Sequence, residues 1–192
     1  MIASACILGI AILVALAIYA GADTLGATFQ TNANGTYVKG ASQRSTQTAF
    51  QLGQNSMPPL VKTYTTGTGT DQANKMFVNV YTIAGTTNQD LDLAGSLIDD
   101  QGNTLTFAAI KEILVIINSP DGTKKLEIGP AAVANAFIGP FADVSDKLTF
   151  FDHIRLSHPY AGWTVTAGTG DIMRLRNSSA TALDATVIIV GY

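Results

Sequence analysis

Alternation of apolar and polar positions in the second half of the chain predicts a series of short β-strands. The segment KMFVNVYTI, residues 75–83, repeats with a period of two, as expected for a strand. One face of this strand carries Val78 and Val80. The other carries Phe77 and Tyr81. We predict that the two valines point into the core.

A continuous apolar segment, EILVIIN at residues 112–118, predicts a strand that is buried on both faces. The pair Asp121 and Gly122 follows it and predicts a tight turn. Short strands separated by turn residues, without a sustained helical period, are typical of an antiparallel sheet fold. The predicted fold class is therefore all-β, an antiparallel, jelly-roll-like β-sandwich. Further strands are predicted at residues 60–65, 124–129, 147–151, 154–157, 163–166, 172–176 and 185–190.

The predicted core consists of large apolar residues on these strands. Truncating one of them to alanine is expected to cost about 2–5 kcal/mol. The set is Val78, Val80, Leu114, Ile116, Leu126, Ile128, Trp163, Val165, Leu175, Ile188 and Val190.

Residues 1–22 contain no charged side chain and predict an apolar helix. At about 1.5 Å per residue such a helix covers about 33 Å, enough to cross a membrane. Three interpretations stay open: a secretory signal cleaved after Ala20-Gly21-Ala22, a retained membrane anchor, and a helix packed among copies of itself. No Lys or Arg precedes the segment, so the usual positive start of a signal is missing. The only cysteine, Cys6, lies here and is expected to be buried and inert.

Residues 23–59 are polar and rich in Gly, Asn, Gln and Thr, which predicts an extended arm with two short strands at residues 36–39 and 46–52. Pro58 and Pro59 then favour extended backbone and mark a boundary. The predicted domains are the apolar helix at 1–22, the arm at 23–59 and the β-sandwich at 60–192.

Composition narrows the class of partner. Of 192 residues, 47% are hydrophobic and only 13% are charged, against about 25% charged residues in typical soluble domains. Such a surface suits burial against neighbouring subunits. The net charge of −3 and the absence of a basic cluster argue against nucleic-acid binding.

Catalytic signals are weak throughout. His153 and His158 are five residues apart, with Asp152 beside the first, but no third residue completes a known metal motif. Ser145 and Ser157 lack the Gly-x-Ser-x-Gly pattern of a hydrolase. We therefore predict that the chain is not an enzyme, with no catalytic, cofactor-binding or metal-binding residue and no cofactor.

Other polar motifs are interpreted structurally. The acidic pairs Asp90/Asp92, Asp99/Asp100 and Asp143/Asp146 lie in turn-like contexts, where aspartate commonly binds its own backbone. The segments TGTGTD and AGTGD are interpreted as hairpin loops.

Three further residues have an alternative interpretation. Asn34 and Asn177 match the N-glycosylation pattern, which matters only in a host that exports and glycosylates the protein. Trp163 is interpreted as a core aromatic, with stacking on a sugar as the alternative.

Residues 81–192, a little over half the chain, resemble a β-sandwich module of bacteriophage virion structural proteins. The resemblance implies a structural component of the virion and names no active residue. The apolar residues 1–22 depart from that pattern. Its elements here are a DLDL strand at 90–93, a D-x-x-G-N turn at 99–103, a K-L-x-I-G strand at 125–129, an F-x-x-P-F loop within 135–141 and a GW-x-V hairpin at 162–177.

The expected function is a self-assembling structural subunit of a phage virion, as a capsid, decoration or spike protein. Its expected partners are copies of itself and other virion proteins, with lipid contact through residues 1–22, and its location is the virion. The alternative is an exported bacterial surface filament subunit or glycan-binding adhesin, extracellular or membrane-anchored, which binds a glycan or receptor.

Overall fold

A computed structural model describes residues 11–16, 27–36, 49–52, 60–99, 102–131 and 134–192. The chain divides into two compact units, residues 1–22 with 26–64 and residues 23–25 with 65–192. All regular elements in the described residues are β-strands, and their pairing is antiparallel. The predicted all-β class is confirmed at this level.

The first unit contains four strands: β1 (Ala11–Leu16), β2 (Ala27–Thr36), β3 (Ala49–Leu52) and β4 (Leu60–Tyr64). Strand β2 pairs with the other three. The helix predicted over residues 1–22 is not confirmed. Residues 11–16 form a strand because β2 supplies partners for their backbone groups. The rest of that range, Cys6 included, lies outside the described residues.

The predicted arm, residues 23–59, also contains paired strands. Strand β3 lies within the strand predicted at 46–52. The strand predicted at 36–39 overlaps β2 only at Thr36, and its other residues lie outside the described ranges. The arm therefore pairs its backbone groups more extensively than its polar composition predicts.

The second unit contains two antiparallel sheets and a small hairpin. Sheet 1 has the order β11–β10–β14–β6, and sheet 2 has the order β12–β9–β15–β5, with β13 also paired to β9. The hairpin is β7–β8. The strands are β5 (Lys75–Ile83), β6 (Asn88–Asp92), β7 (Leu97–Ile98), β8 (Thr104–Leu105), β9 (Ala109–Asn118), β10 (Leu126–Pro130), β11 (Leu148–Phe150), β12 (His153–Ser157), β13 (Trp163–Thr164), β14 (Ile172–Asn177) and β15 (Leu183–Gly191).

Both sheets contribute side chains to one cluster of buried apolar residues. Sheet 1 supplies Leu126, Ile128 and Leu175, as predicted. Sheet 2 supplies alternate residues of β9 and β15, including Ile113 and Val187. The alternation expected for strands therefore holds for the cluster members of β15 and for those of β9 from Ile113 to Ile117.

The predicted face of β5 is wrong. Val78 and Val80 are 46% and 54% exposed, whereas Phe77 is buried and Tyr81 packs against the core. An alternating segment has two apolar faces here, and the larger aromatic face removes more apolar surface from water when it is buried. The two valines therefore lie on the outer face of sheet 2.

The other predicted core residues are mostly buried. Ile116 and Trp163 are only half-buried. Leu114, Ile188 and Val190 are buried, but they alternate with the members of the shared cluster and so lie on the opposite face of sheet 2. The fully or nearly fully buried members of the predicted set are Leu114, Leu126, Ile128, Val165, Leu175, Ile188 and Val190.

Candidate interaction surfaces

The two histidines have different surroundings. His153 starts β12, and its Nδ1 lies 3.0 Å from Oδ2 of the neighbouring Asp152. His158 follows β12 and packs edge-on against Trp163 and Tyr160, with ring centroids 5.5 and 6.3 Å apart. No group of three potential metal ligands occurs within the residues that the structure describes. Neither histidine has the arrangement of a metal ligand set.

The acidic residues singled out from the sequence bind nearby groups. Asp92 accepts the backbone N–H of Ala94 at 3.0 Å. Asp99 accepts both the backbone and the side-chain amide of Asn103, at 2.7 and 3.1 Å, in the predicted turn. Asp100 lies outside the described residues. These contacts are those of turn-forming carboxylates.

A second acidic turn lies at residues 142–146. Oδ2 of Asp146 accepts the backbone N–H groups of Ala142 and Asp143, each at 2.9 Å. Oδ1 of Asp143 accepts the backbone N–H and the hydroxyl of Ser145, also at 2.9 Å. Hydrogen bonds from the Ser145 backbone and then its hydroxyl lower the pKa of Asp143. The Ser145 hydroxyl therefore helps to hold a carboxylate in a turn.

The outer face of sheet 1 carries a groove of about 410 Å³. Glu127 on β10 lies opposite Arg176 on β14, and Gly129 lies opposite Arg174. Glu127, Arg174 and Arg176 alternate with buried residues along their strands, so their side chains face away from the core. Residues 144–147 form one side of the groove.

Gly129 lets that loop approach β10 closely. A Cβ at this position would lie 2.5 Å from the carbonyl oxygen of Asp146, nearer than real Cβ contacts allow. A larger residue would push the loop away from the strand. The depth of the groove therefore depends on the glycine.

Charges of both signs line the groove. Oε2 of Glu127 lies 3.7 Å from Nζ of Lys147 and 3.8 Å from Nη1 of Arg176. Arg174 forms a bidentate pair with Asp90 on β6, at 2.6 and 2.8 Å. The hydrogen bond that Arg174 donates to the Asp90 carboxylate raises the pKa of Arg174. The groove thus offers ion-pairing groups of both signs.

A fully buried lysine joins two loops of the second unit. Lys111 on β9 donates to the carbonyl oxygens of Thr68 and Gly69 in one loop and to that of Tyr160, at 2.7 Å, in another. Its ammonium also lies 5.3 Å from the ring centroid of Tyr192. The buried charge is stabilised by carbonyl dipoles and an aromatic face.

The second of these loops carries an aromatic cluster. Tyr160 is 66% exposed, and His158 and Trp163 beside it are partly exposed. Trp163 also packs against the core, as predicted. The cluster leaves three aromatic side chains partly exposed at one place, which suits stacking on a ligand.

Apolar side chains are exposed on edge strands of both sheets. In sheet 2, β5 pairs only with β15 among the described strands and carries the exposed Val78 and Val80. In sheet 1, β11 pairs only with β10 in the same part of the chain, and Leu148 and the following Phe151 are exposed. Exposed apolar residues on a sheet edge favour association with another surface.

The Asn177 side chain, which matches the glycosylation pattern, is inaccessible in the folded protein. The side chain is completely buried, and its Nδ2 donates to the carbonyl oxygens of Ile83 and Thr181. Its Oδ1 accepts from Ser179, the third residue of the motif. Asn34 lies in β2, and nothing further is described of its side chain.

Sequence reasoning missed the groove and the buried lysine. The charged positions of β10 and β14 alternate with apolar ones, which indicated an outer face but not a concave surface. Lys111 and the adjacent Glu112 stand at the start of an apolar segment, and charges in that position were a signal that internal partners were needed.

Within the described residues, no helix is long and apolar enough to cross a membrane. No protein-family model matches the chain, and no curated protein or solved structure matches it either.

Proposed function

We propose that this chain is a self-assembling, non-enzymatic structural subunit of a phage virion: a capsid, decoration or spike protein. The second unit would serve as its β-sandwich, of jelly-roll type, with two sheets around one core. Copies of the chain and other virion proteins are its partners, and residues 1–22 are its contact with lipid or with neighbouring copies.

The observation that carries this proposal is the exposure of apolar side chains on edge strands of both sheets. Val78 and Val80 on β5, and Leu148 on β11 with Phe151, lie where a neighbouring subunit can cover them. Burial of such side chains is favourable by about 25 cal/mol per Å² of apolar surface. Subunits of an assembly gain this energy, whereas a solitary monomer does not.

Two features of the sequence and the groove support the same proposal. Only 13% of the residues are charged, which lowers the cost of removing the surface from water. Lys147 and Glu127 offer groups of opposite sign in the groove, which suit ion pairing at the polar rim of an interface.

The test is the mass of the purified full-length chain in solution, measured by light scattering over a range of concentrations. We expect discrete oligomers whose fraction rises with concentration. A monomer at every concentration would contradict the proposal. The intact mass of the chain from its native assembly is the companion measurement, because a full-length mass means that residues 1–22 are retained in the particle.

The aromatic cluster favours one alternative, a glycan-binding adhesin or exported surface filament subunit. Tyr160, His158 and Trp163 form a partly exposed group of rings that suits stacking on a sugar. The alternative predicts glycan-array binding that is lost in Tyr160→Ala and kept in Tyr81→Phe, which alters a tyrosine on another strand. A cleaved start at Asp23 would support export.

A further inference from the structure

We propose that two copies of this chain associate through their β5 strands, antiparallel about a twofold axis at Asn79, so that sheet 2 continues from one copy into the other. The inference rests on the proposed self-assembly and names the surface and the partner. It follows from three properties of β5: an edge to which no other described strand is paired, a self-complementary sequence and the absence of an opposing charge.

The free edge follows from the hydrogen-bonding pattern of sheet 2. The Ile117 N–H donates to the carbonyl oxygen of Asp152 beside β12, and the His158 N–H donates to that of Lys111, so odd-numbered residues of β9 from 111 to 117 direct their backbone groups towards β12. Even-numbered residues of β9, such as Ile116, therefore direct their backbone groups towards β15. There they hydrogen-bond to even-numbered residues such as Thr186.

The same alternation continues across β15 to β5. Odd-numbered residues of β15, such as Val187, bond to odd-numbered residues of β5. The backbone groups of Val78 and Val80 consequently point away from β15. Consistent with this, the Val80 N–H donates at 2.8 Å to Oδ1 of the adjacent Asn79 instead of to a strand.

The sequence of β5 complements itself in one register. With Asn79 opposite its own copy, Val78 lies opposite the partner's Val80, and both are the exposed valines of the outer face. On the other face Phe77 lies opposite the partner's Tyr81. At these two steps nearest the axis, valine therefore meets valine and an aromatic ring meets an aromatic ring, and such cross-strand pairs stabilise a sheet.

No charge opposes this register. Lys75, the only charged residue of β5, comes opposite the partner's Ile83. The backbone N–H and C=O groups that point away from β15 are those of Val78 and Val80. In this register Val78 of one copy lies opposite Val80 of the other, so these groups can bond to each other. A twofold pairing requires such reciprocity: if one residue contacts another, the same contact recurs across the axis.

The decisive experiment is disulfide cross-linking in the full chain with Cys6→Ser as background. Asn79→Cys places two sulfurs at the axis, where Cα atoms of a non-hydrogen-bonded pair are about 4.5 Å apart, close enough for a disulfide. Thr82→Cys is the matched control. Thr82 is exposed on the same strand. In the proposed register the two copies of residue 82 would be offset by six residues along the strand, or about 20 Å at about 3.4 Å per residue.

A second variant, Val80→Pro, removes the outward N–H without touching the bonds to β15. We expect Asn79→Cys to give a covalent dimer as the main product, Thr82→Cys to give none, and Val80→Pro to shift the protein to smaller species while its circular dichroism stays native. Val80→Thr, which keeps the N–H and the branched shape, should associate like the parent.

The outcomes separate the two proposals. If the parent chain is oligomeric but Asn79→Cys cross-links no better than Thr82→Cys, or if folded Val80→Pro keeps the parent's mass, the β5 pairing is wrong and self-assembly stands. If the parent chain is a monomer at every concentration, both fail.

Discussion

The side-chain nitrogen of Asn177 lies 2.9 Å from the carbonyl oxygen of Ile83, and this bond joins the end of β14 in sheet 1 to the end of β5 in sheet 2. The same nitrogen donates to Thr181 at 2.8 Å, and the Asn177 oxygen accepts the Ser179 N–H at 2.9 Å. One buried amide therefore fixes a corner at which strands of both sheets end.

Replacing this amide is expected to destabilise the second unit. Asn177→Ala leaves the carbonyl groups of Ile83 and Thr181 without their donor, so we expect a loss of about 3 kcal/mol in the free energy of unfolding. The measurement is urea denaturation. The control is Asn103→Ala, an exposed residue whose amide bonds to Asp99, with an expected loss under about 1 kcal/mol. Equal losses would refute this role of Asn177.

The two faces of β5 are expected to differ sharply in their tolerance of truncation. Phe77→Ala should cost about 3–5 kcal/mol because Phe77 is buried in the shared core. Val78→Ala should change the free energy of unfolding of the monomer by about 0.5 kcal/mol or less because Val78 is exposed. Thermal and urea unfolding at low protein concentration measure both values. A Val78 effect as large as that of Phe77 would mean that the assigned faces are reversed.

Lys111 is expected to hold two loops in place. Lys111→Met keeps most of the apolar stem but removes the donor to Thr68, Gly69 and Tyr160, and we expect a loss of about 3 kcal/mol. Lys75→Met is the control, because Lys75 donates to a single carbonyl group, that of Thr106, and should cost under about 1 kcal/mol.

A local measurement distinguishes loop release from general destabilisation in the lysine variant. The Asp71 N–H donates at 2.8 Å to Pro159, which bridges the same two loops. Hydrogen exchange at Asp71 should accelerate in Lys111→Met more than exchange in β15. Uniform acceleration throughout the unit would argue that Lys111 stabilises the fold as a whole.

Asp143 is expected to contribute a pH-dependent term to stability. Hydrogen bonds from Ser145 lower the pKa of Asp143 in the folded state below its ordinary value of 3.8. The carboxylate is then favoured in the folded protein. Its contribution is complete above the unfolded pKa and is lost as the pH falls through the lowered folded pKa.

Carboxyl titration by NMR tests this directly. In Ser145→Ala the hydroxyl donor at 2.9 Å is removed while the backbone donor stays, so the pKa of Asp143 should move part of the way back towards 3.8. An unchanged pKa in Ser145→Ala would show that the hydroxyl has no part in the shift. Thr123→Ala, in the distant turn of Asp121, is the control and should leave Asp143 unchanged.

The sequence predicted most strands of the second unit because their signals are local. Residues 113–117 are continuously apolar, and β9 contains them. Asp121 accepts the N–H of Thr123 in the predicted turn. Faces were harder to predict, because β5 is apolar on both sides and only packing against the other sheet decides which side is buried.

The surfaces that carry the proposals were not predictable from local pattern. Glu127 and Arg176 are far apart in sequence and meet because β10 pairs with β14. Lys111 finds its acceptors in two loops that its own segment does not encode. Long-range pairing places these groups, and a single sequence does not specify such pairing.

Strand β15 lies between β9 and β5, so residues 183–191 join two strands that come much earlier in the chain. Until β15 has been synthesised, β5 and β9 lack the strand that pairs with both of them. The strand edges and apolar side chains that β15 covers in the folded protein then stay exposed. Folding of sheet 2 is then limited by contacts between distant parts of the sequence, which form slowly. A nascent chain that still lacks β15 therefore exposes strand edges of the kind that favour association with other chains.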